Sequence, residues 1–301
     1  MNQRTLKNSY SFEGKGLHTG KFTHMTVCPA PENTGIRFLR TDISDNAYID
    51  ALATNVSNTA RSTTISQNGA SAVTIEHIMS ALTGLGVDNA IIKLDNEEVP
   101  ILDGSASYYI KAISADGLQE QNAERKYIEI TGFHEVTNEK SGSYIRISPA
   151  DHFSIDLTLD FESKVLGIQK VHWDESTDYS AEIGICRTFV FFHEIEFLAS
   201  QGLVKGGDVD NAIVIVEHPV TEAQLENICR IFNKEKVEIT ANGYLNNLEL
   251  HFADECGRHK LLDMLGDLRL AGGFPKVHIE AFKSGHTINT NAAKAIINLT
   301  K

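Results

Sequence analysis

The sequence has 301 residues, of which 42% are hydrophobic, and its formal net charge is −13. Such a composition is typical of a globular protein of about two domains, and the acidic charge argues against nonspecific nucleic-acid binding. Scattered cysteines, a polar N-terminal stretch and the absence of any long apolar run predict a cytoplasmic protein without a signal peptide or membrane span.

The first domain, predicted for residues 1–120, begins with about 60 residues of strands and turns. Among them, the glycine-rich segment EGKGLHTG at 13–20 predicts a tight loop. Its His18 is either a site residue or a loop histidine that caps nearby backbone. A helix follows at 73–85, with Thr74 as its N-cap and Glu76 and His77 in its first turn. A strand at 87–94, a loop at 99–105 and a helix starting at Tyr108 complete the domain.

A polar segment at 118–126 is the predicted linker to a second domain at 126–301. Its elements in chain order are strands at 127–131, 144–148 and 153–161 with a hairpin turn at 138–142, a helix at 193–201, a strand at 211–216, a helix at 221–232, a strand at 248–252, a helix at 258–273, a strand at 277–282 and a last helix at 291–298. The region 190–217 is predicted to be a strand–helix–strand insertion.

The helix at 258–273, RHKLLDMLGDLRLAGG, has polar residues in an unusual place. His259, Asp263 and Asp267 follow each other at four-residue spacing on an otherwise apolar helix, so they lie on one face about 6 Å apart. Buried carboxylates need a cation or hydrogen-bond donors. The stripe therefore predicts half of a metal site, although a satisfied core histidine with paired aspartates would also fit it.

An architectural repeat supplies the other half of the predicted site. The same order of elements occurs around His77 and again around His259. In each case a helix that contains the histidine is followed by glycines, a strand, a loop and a second helix. We therefore expect an α+β fold with two similar domains, each a layered sandwich of sheet and helices, and an active site at their interface. Catalytic zinc sites usually have three protein ligands and an open position, which His77, His259 and Asp263 would provide.

Three further residues fit the remaining parts of a metal-assisted hydrolysis. Glu76 adjoins a predicted ligand and is a candidate base. Asp267 would orient an imidazole. His286 follows Gly285 at the end of the strand predicted at 277–282, a position from which its side chain could reach the cleft and protonate a leaving group.

Several motifs together resemble the zinc-dependent UDP-3-O-acyl-N-acetylglucosamine deacetylases of lipid A synthesis. They are GKGLHTG, TIEHIMSALTGLGVDNA, VPILDGSA, CRTFVF, LVKGGDVDNAIV, RHKLLDMLGDL and KSGHTIN. The resemblance runs in order along nearly the whole chain. CRTFVF is similar to the version found where this enzyme is fused to a hydroxyacyl-carrier-protein dehydratase, although the sequence stops at Lys301 and we expect no second enzyme in it.

The resemblance implies Zn²⁺ on His77, His259 and Asp263, with Glu76 as general base. It implies that His286 is a charged acid beside Asp267, and that Thr188 holds the tetrahedral oxyanion. It further implies that a UDP-linked acylated glucosamine is the substrate. The implied substrate contacts are Lys260, Phe189, Leu17, His18, Thr63, Phe161 and Lys283.

The insertion is implied to form an apolar passage for the acyl chain. Phe191, Ile195, Leu198, Leu203 and Ile213 are apolar enough to line or support it, although such residues could also simply pack the insertion. Many family members have glycine where this chain has Val190, which would narrow the passage. A lipid-linked substrate predicts transient contact with the inner face of a membrane, although no basic amphipathic helix supports it.

Two other functions are compatible with parts of the sequence. The same metal site could hydrolyse a different acyl-sugar or ester, which a test of the need for UDP would reveal. A two-layer α+β fold could also be a nonenzymatic RNA-binding module, which the net charge of −13 opposes.

Overall fold

The computed structural model describes residues 1–200, 205–207, 210–231 and 236–299. Within these ranges, two five-stranded sheets and the helices packed on them form the frame of the protein. No helix in this part of the chain combines the length and apolar character that crossing a bilayer requires.

The first half of the chain contains all five strands of one large sheet and two helices. Its elements are β1 (Asn2–Leu6), β2 (Tyr10–Lys15), β3 (Phe22–Pro29), β4 (Ile36–Arg40), β5 (Tyr48–Asp50), a 3₁₀ turn (Ala53–Asn55), β6 (Val56–Asn58), β7 (Thr64–Gln67), β8 (Ala70–Val73), α1 (Glu76–Gly84), β9 (Ala90–Leu94) and α2 (Ser107–Asp116). The large sheet has the order β2-β3-β9-β4-β5. Strand β3 alternates between exposed and buried residues, so Met25 and Val27 face the core.

The second half repeats this plan and adds an insertion. Its elements are β10 (Leu118–Glu124), β11 (Tyr127–Ile128), β12 (His134–Asn138), β13 (Ser143–Pro149), β14 (Ser154–Asp160), β15 (Ile168–Asp174), α3 (Tyr179–Glu182), β16 (Phe189–Phe191), α4 (Phe192–Ser200), β17 (Ile213–Ile215), α5 (Glu222–Ile231), α6 (Glu255–Leu268), a 3₁₀ turn (Arg269–Ala271), β18 (Phe274–Pro275), β19 (Val277–Phe282) and α7 (His286–Leu299). The large sheet has the order β12-β13-β19-β14-β15. Strands β16 and β17 pair in parallel on either side of α4.

The two sheets have the same topology. In each, the last strand lies between the second and third, pairs in parallel with the third and is antiparallel to the second. Helices α1 and α6 precede the last strand of their sheets, and α2 and α7 follow it. The predicted α+β fold of two similar units is therefore confirmed.

Helices α1 and α6 pack against each other and bring the two halves together. One hydrophobic cluster contains Ile78 and Met79 of α1 together with Leu262 and Leu265 of α6, all fully buried. Burying each such side chain contributes about 1.5–3 kcal/mol. At Gly266, an added Cβ would lie 2.1 Å from the carbonyl oxygen of Glu76, so the backbones approach too closely for any side chain.

Several boundaries differ from those predicted. Thr74 does not cap α1: it has a left-handed φ of 58°, and its hydroxyl donates to Glu98 at 2.9 Å. The last helix begins at His286, five residues earlier than predicted. Its first turns bury the polar residues Asn289 and Thr290, which do not follow the apolar pattern from which a helix is predicted.

Two predicted strands and the predicted linker also differ. Residues 248–252 form no strand, because the carbonyl oxygen of Glu249 accepts a hydrogen bond from the Arg187 side chain instead of a neighbouring strand. The strand predicted at 127–131 is limited to Tyr127–Ile128. The predicted linker contains β10, which pairs with β1 over its length. The hairpin turn at 138–142 is confirmed by the pairing of β12 with β13.

Candidate metal centre and active site

Three buried side chains form a cluster with the composition of a metal site. His77 comes from α1, and His259 and Asp263 come from α6. Their candidate ligand atoms all lie within 4.8 Å of one another. Oδ1 of Asp263 is 3.4 Å from Nε2 of His259 and 3.6 Å from Nε2 of His77. The structure thus brings together the three residues predicted as ligands.

The protonation states of the candidate ligands favour binding of a metal cation. Nδ1 of His259 donates to the carbonyl oxygen of Cys186 at 3.0 Å, which leaves the lone pair of Nε2 directed away from that bond. Burial lowers the pKa of His259 to about 3, so its imidazole is neutral. Oδ1 of Asp263 is buried without a hydrogen-bond partner. Because such an atom is costly to bury, the residues fit a bound metal ion.

Lys260 neutralises the second oxygen of Asp263. Its Nζ donates to Oδ2 of Asp263 at 2.7 Å. Although burial alone would raise the pKa of Asp263, Lys260 and His259 hold that pKa well below its usual value. Lys260 also faces the cleft and lies over the ring of Phe189. Lys260 therefore lines the cleft, as expected of a residue that contacts the substrate, and its ammonium group is already paired with the predicted ligand Asp263.

A second group of polar residues lies beside the three candidate ligands. Nδ1 of His286 donates to Oδ2 of Asp267 at 3.0 Å, and Nε2 of His286 is 3.9 Å from Oε1 of Glu76. Asn289 also donates to Oδ2 of Asp267. The imidazole of His286 therefore lies between two carboxylates and is held by one of them.

These contacts shift the pKa values of the two central groups in the same direction. Burial raises the pKa of Glu76, an effect that the neighbouring His286 and His77 oppose. Burial would lower the pKa of His286, but Asp267 and Glu76 raise it to about 9. At neutral pH, His286 is consequently a cation in the cleft, and the raised pKa makes the carboxylate of Glu76 a stronger base than an exposed glutamate.

Thr63 is predicted as a substrate contact, but it is fully buried. Its hydroxyl donates to Oδ1 of Asp267, and its backbone N–H donates to Oε2 of Glu76 at 3.1 Å. Both hydrogen bonds fix carboxylates of the site. Its position is therefore that of a residue that orients Asp267 and Glu76.

The candidate ligands and Glu76 face a cleft of about 320 Å³. We call this cavity the metal cleft; its walls are Leu17, Arg61, Thr74, Glu76, His77, Phe161, Thr188, Phe189, Val190, Phe191, Glu194, His259, Lys260, Asp263, Ser284, Gly285 and His286. Most residues with predicted site roles thus lie on one cavity. Lys283 does not line it, and its Nζ is paired with Glu162 at 2.9 Å.

A second, narrower cavity of about 90 Å³ adjoins the metal cleft. We call it the apolar passage; its walls are Leu17, His18, Arg61, Thr188, Phe189, Val190, Ile195, Leu198, Gly207, Asn211, Ala212 and Val214. Of the residues predicted for it, Phe191 instead lines the metal cleft, and Ile213 is buried in a neighbouring hydrophobic cluster. Leu203 lies outside the described residues.

Sequence reasoning missed several residues that shape the site. The buried carboxylate of Glu98 accepts hydrogen bonds from the backbone of His18 and Thr19, which holds the glycine-rich loop in place. Arg61 and Glu194 form an ion pair on the wall of the metal cleft. These partners are 80 and 133 residues apart, and no periodic pattern could have indicated them.

Comparison with known proteins identifies the family. The family model for UDP-3-O-acyl N-acetylglycosamine deacetylases matches residues 3–229 and 228–298. The chain belongs to this deacetylase family. The predicted resemblance is therefore confirmed over nearly the whole chain.

Individual relatives of the deacetylase family fall into two groups. The bifunctional enzymes LpxC/FabZ of Porphyromonas gingivalis and Bacteroides thetaiotaomicron are 42% and 41% identical over 294 residues, which is 98% of this chain. The chain spans 64% of the length of these two relatives. The UDP-3-O-acyl-N-acetylglucosamine deacetylase of Saccharophagus degradans is 40% identical over 305 residues, covering 99% of this chain and 90% of the relative.

Proposed function

We propose that this protein is a zinc-dependent amidohydrolase that removes the N-acetyl group of UDP-3-O-(3-hydroxyacyl)-N-acetylglucosamine and releases acetate. This is an early committed step of lipid A biosynthesis. The observation that carries the proposal is that three candidate metal ligands, a basic carboxylate and a cationic imidazole all face one cleft. The family match and the names of its relatives support the substrate class.

His77, His259 and Asp263 would hold the zinc ion. Two imidazoles and one carboxylate are a ligand set that catalytic zinc sites use, with a further position open. When bound, zinc would supply Lewis-acid stabilisation of the acetamide oxygen and a lower pKa for water.

Glu76 is the proposed general base. Its carboxylate takes a proton from the water molecule that adds to the acetyl carbon. The raised pKa of Glu76 makes its carboxylate a stronger base for this proton transfer. Thr63 holds the second carboxylate oxygen, so Oε1 is the atom that faces His286.

His286 is the proposed general acid. Its protonated imidazole stabilises the oxyanion and gives a proton to the sugar nitrogen as the C–N bond breaks, which releases acetate and the free amine. Asp267 keeps the imidazole charged and oriented through its hydrogen bond to Nδ1. Thr188, on the wall of the metal cleft, is a further proposed partner of the oxyanion.

The two cavities suit the two ends of the proposed substrate. The apolar passage would take the acyl chain, with Val190 narrowing it relative to family members that have glycine there. Leu17 and Phe189 line both cavities, and Phe161 packs edge-on against Phe189 at the rim of the cleft. Lys260 and, at the periphery, Lys283 are the proposed partners of anionic groups. His18 would contact the chain in the passage.

The proposed location is the cytoplasm, with transient contact with the inner leaflet where a lipid-linked substrate is delivered. The proposal includes neither stable membrane insertion nor nucleic-acid binding. The net charge of −13 supports the last point, because nonspecific nucleic-acid binding depends on a basic surface.

The His77→Ala and Asp263→Ala variants are expected to lose bound zinc and at least about 100-fold in deacetylation, since each removes one of three ligands. Metal analysis of the purified proteins, paired with an assay of acetate release from the UDP-linked substrate, tests this. His24→Ala, at an exposed histidine, is the control and should keep both metal and activity. Full activity in a chelated, metal-free sample would contradict the proposal, and equal activity without UDP would reassign the substrate.

The Asp267→Asn variant is expected to shift the alkaline limb of the pH–rate profile to lower pH. In the native protein the pKa of His286 is about 9, so the acid is protonated below that pH and activity falls above it. Without the carboxylate, this pKa moves towards its ordinary value of 6.5, and activity at pH 8 falls about 10-fold or more relative to that at pH 6. Metal content should be unchanged.

The Asp254→Asn variant is the control for this shift, because Asp254 pairs with Arg258 at the start of the same helix. Its alkaline limb should match that of the native protein. An unshifted profile in Asp267→Asn would show that His286 is not the group whose protonation limits the rate.

A further inference from the structure

The metal cleft and the apolar passage meet at a constriction made by a small set of shared residues. Leu17, Arg61, Thr188, Phe189 and Val190 line both cavities. We call these five residues the throat. Arg61 is its charged member, and its partner Glu194 lies on the wall of the metal cleft.

Arg61 and Glu194 form a two-pronged ion pair. Nη1 of Arg61 donates to Oε2 of Glu194 at 3.1 Å, and Nη2 donates to Oε1 at 2.9 Å. Parallel hydrogen bonds of this kind fix the relative orientation of both groups. The side chains are 44% and 27% exposed, so the pair is accessible from the cleft and is partly shielded from solvent.

The pair joins two parts of the protein that are distant in sequence. Arg61 lies in the bend between β6 and β7 and has a left-handed φ of 71°, an uncommon conformation for a residue other than glycine. Such conformations concentrate at functional sites. Two residues later, Thr63 holds Glu76 and Asp267. The bend therefore connects the proposed catalytic carboxylates to the throat.

Glu194 lies in the first turn of α4, and this helix provides one wall of the passage. Ile195 and Leu198 of α4 line the passage beyond the throat. The ion pair consequently holds that wall against the first half of the chain, next to the entry from the cleft.

We propose that the Arg61–Glu194 pair is a specificity-determining clamp that keeps the apolar passage open for long acyl chains by fixing α4 at the throat. This inference rests on the proposed function, since it assigns the clamp to the acyl part of that substrate. A short acyl group ends before α4 and does not depend on the clamp. A long chain contacts Ile195 and Leu198 of α4. Without the clamp, α4 would be mobile and would have to be ordered when the chain binds, which weakens binding of the long-chain substrate.

Steady-state kinetics of Arg61→Gln and Glu194→Gln with two UDP-linked substrates test the clamp. One substrate carries a long 3-hydroxyacyl chain and the other an acetyl group at the same position. We expect KM for the long-chain substrate to rise about 2- to 5-fold in each variant with kcat unchanged. The kcat/KM for the short-chain substrate should fall less than that for the long-chain substrate, so the ratio of the two should fall.

A charge-swapped variant separates pairing from direct contact with the substrate. Arg61→Glu combined with Glu194→Arg should restore most of the long-chain KM if pairing is what matters. Arg37→Gln breaks an ion pair with Asp50 that is similarly exposed and lines neither cavity. This control variant should leave the kinetics of both substrates unchanged. Thermal unfolding of each variant shows whether it is folded. If Arg61→Gln does not fold, the kinetics of Glu194→Gln alone test the clamp.

The outcomes distinguish this inference from the proposed function. Native protein that deacetylates neither substrate would overturn the proposed function itself. Native protein that is active, together with an unchanged ratio of long-chain to short-chain kcat/KM in both single variants, would overturn the clamp alone. Failure of the charge swap to restore KM would also overturn it, and would indicate that Arg61 binds the substrate directly.

Discussion

Replacing Glu76 by glutamine is expected to lower kcat by about 10²- to 10⁴-fold while bound metal is retained. The carboxylate is not one of the three clustered ligands, but it lies on the metal cleft and is 3.9 Å from His286. Glutamine preserves the shape of the side chain and can still accept the hydrogen bond from the backbone of Thr63. It cannot take a proton from water, so the loss should fall on turnover.

Metal content and kcat measured on the same preparations check this prediction. Glu97→Gln is a suitable control, because Glu97 adjoins Glu98 in sequence but pairs with Lys21 at the surface. It should keep native kcat. Turnover near the native rate in Glu76→Gln would exclude Glu76 as the base, whereas loss of metal would assign it to the ligand set.

Replacing Gly266 by alanine is expected to destabilise the protein by about 1–3 kcal/mol and to lower activity at least 10-fold. The new Cβ would meet the carbonyl oxygen of Glu76 at 2.1 Å, and backbone atoms cannot rotate away as a side chain can. Helix α1 would have to move away from α6. That movement separates Glu76 and His77 from the groups on α6, so both metal affinity and catalysis should fall.

The sign of this effect is informative. Glycine to alanine in a helix interior normally stabilises a protein by about 0.5–1 kcal/mol, so destabilisation here isolates the steric contact. Gly14→Ala is the control, since its new Cβ would meet only ordinary contacts at 3.5 Å or more. Denaturant unfolding and metal titration of both variants provide the comparison. A stabilised, fully active Gly266→Ala variant would show that the helices tolerate separation.

The sequence predicted the parts of the site that follow a local pattern. The spacing of His259, Asp263 and Asp267 on an apolar helix indicated a buried polar stripe. In the structure, all three are among the buried residues of α6. The α+β class and the repeat followed from the order of helices and strands.

The parts that could not be predicted depend on contacts between distant segments. Thr63 orients Asp267 across 204 residues, and Arg61 meets Glu194 across 133. The start of α7 was missed because Asn289 is buried by a hydrogen bond to Asp267 rather than by an apolar side chain. A polar residue that is buried through a partner far along the chain does not contribute to the periodic pattern of apolar residues. Its burial is therefore seen only in the tertiary structure.

The matching topology of the two halves gives the α1–α6 contact the character of a dimer interface within one chain. Equivalent elements of two similar folds meet face to face, as the same patches do across a symmetric homodimer. In a true homodimer both helices would carry identical residues, and assembly would depend on protein concentration. Covalent joining makes the contact intramolecular and lets the helices diverge: α1 carries Glu76 and His77, and α6 carries His259, Asp263 and Asp267.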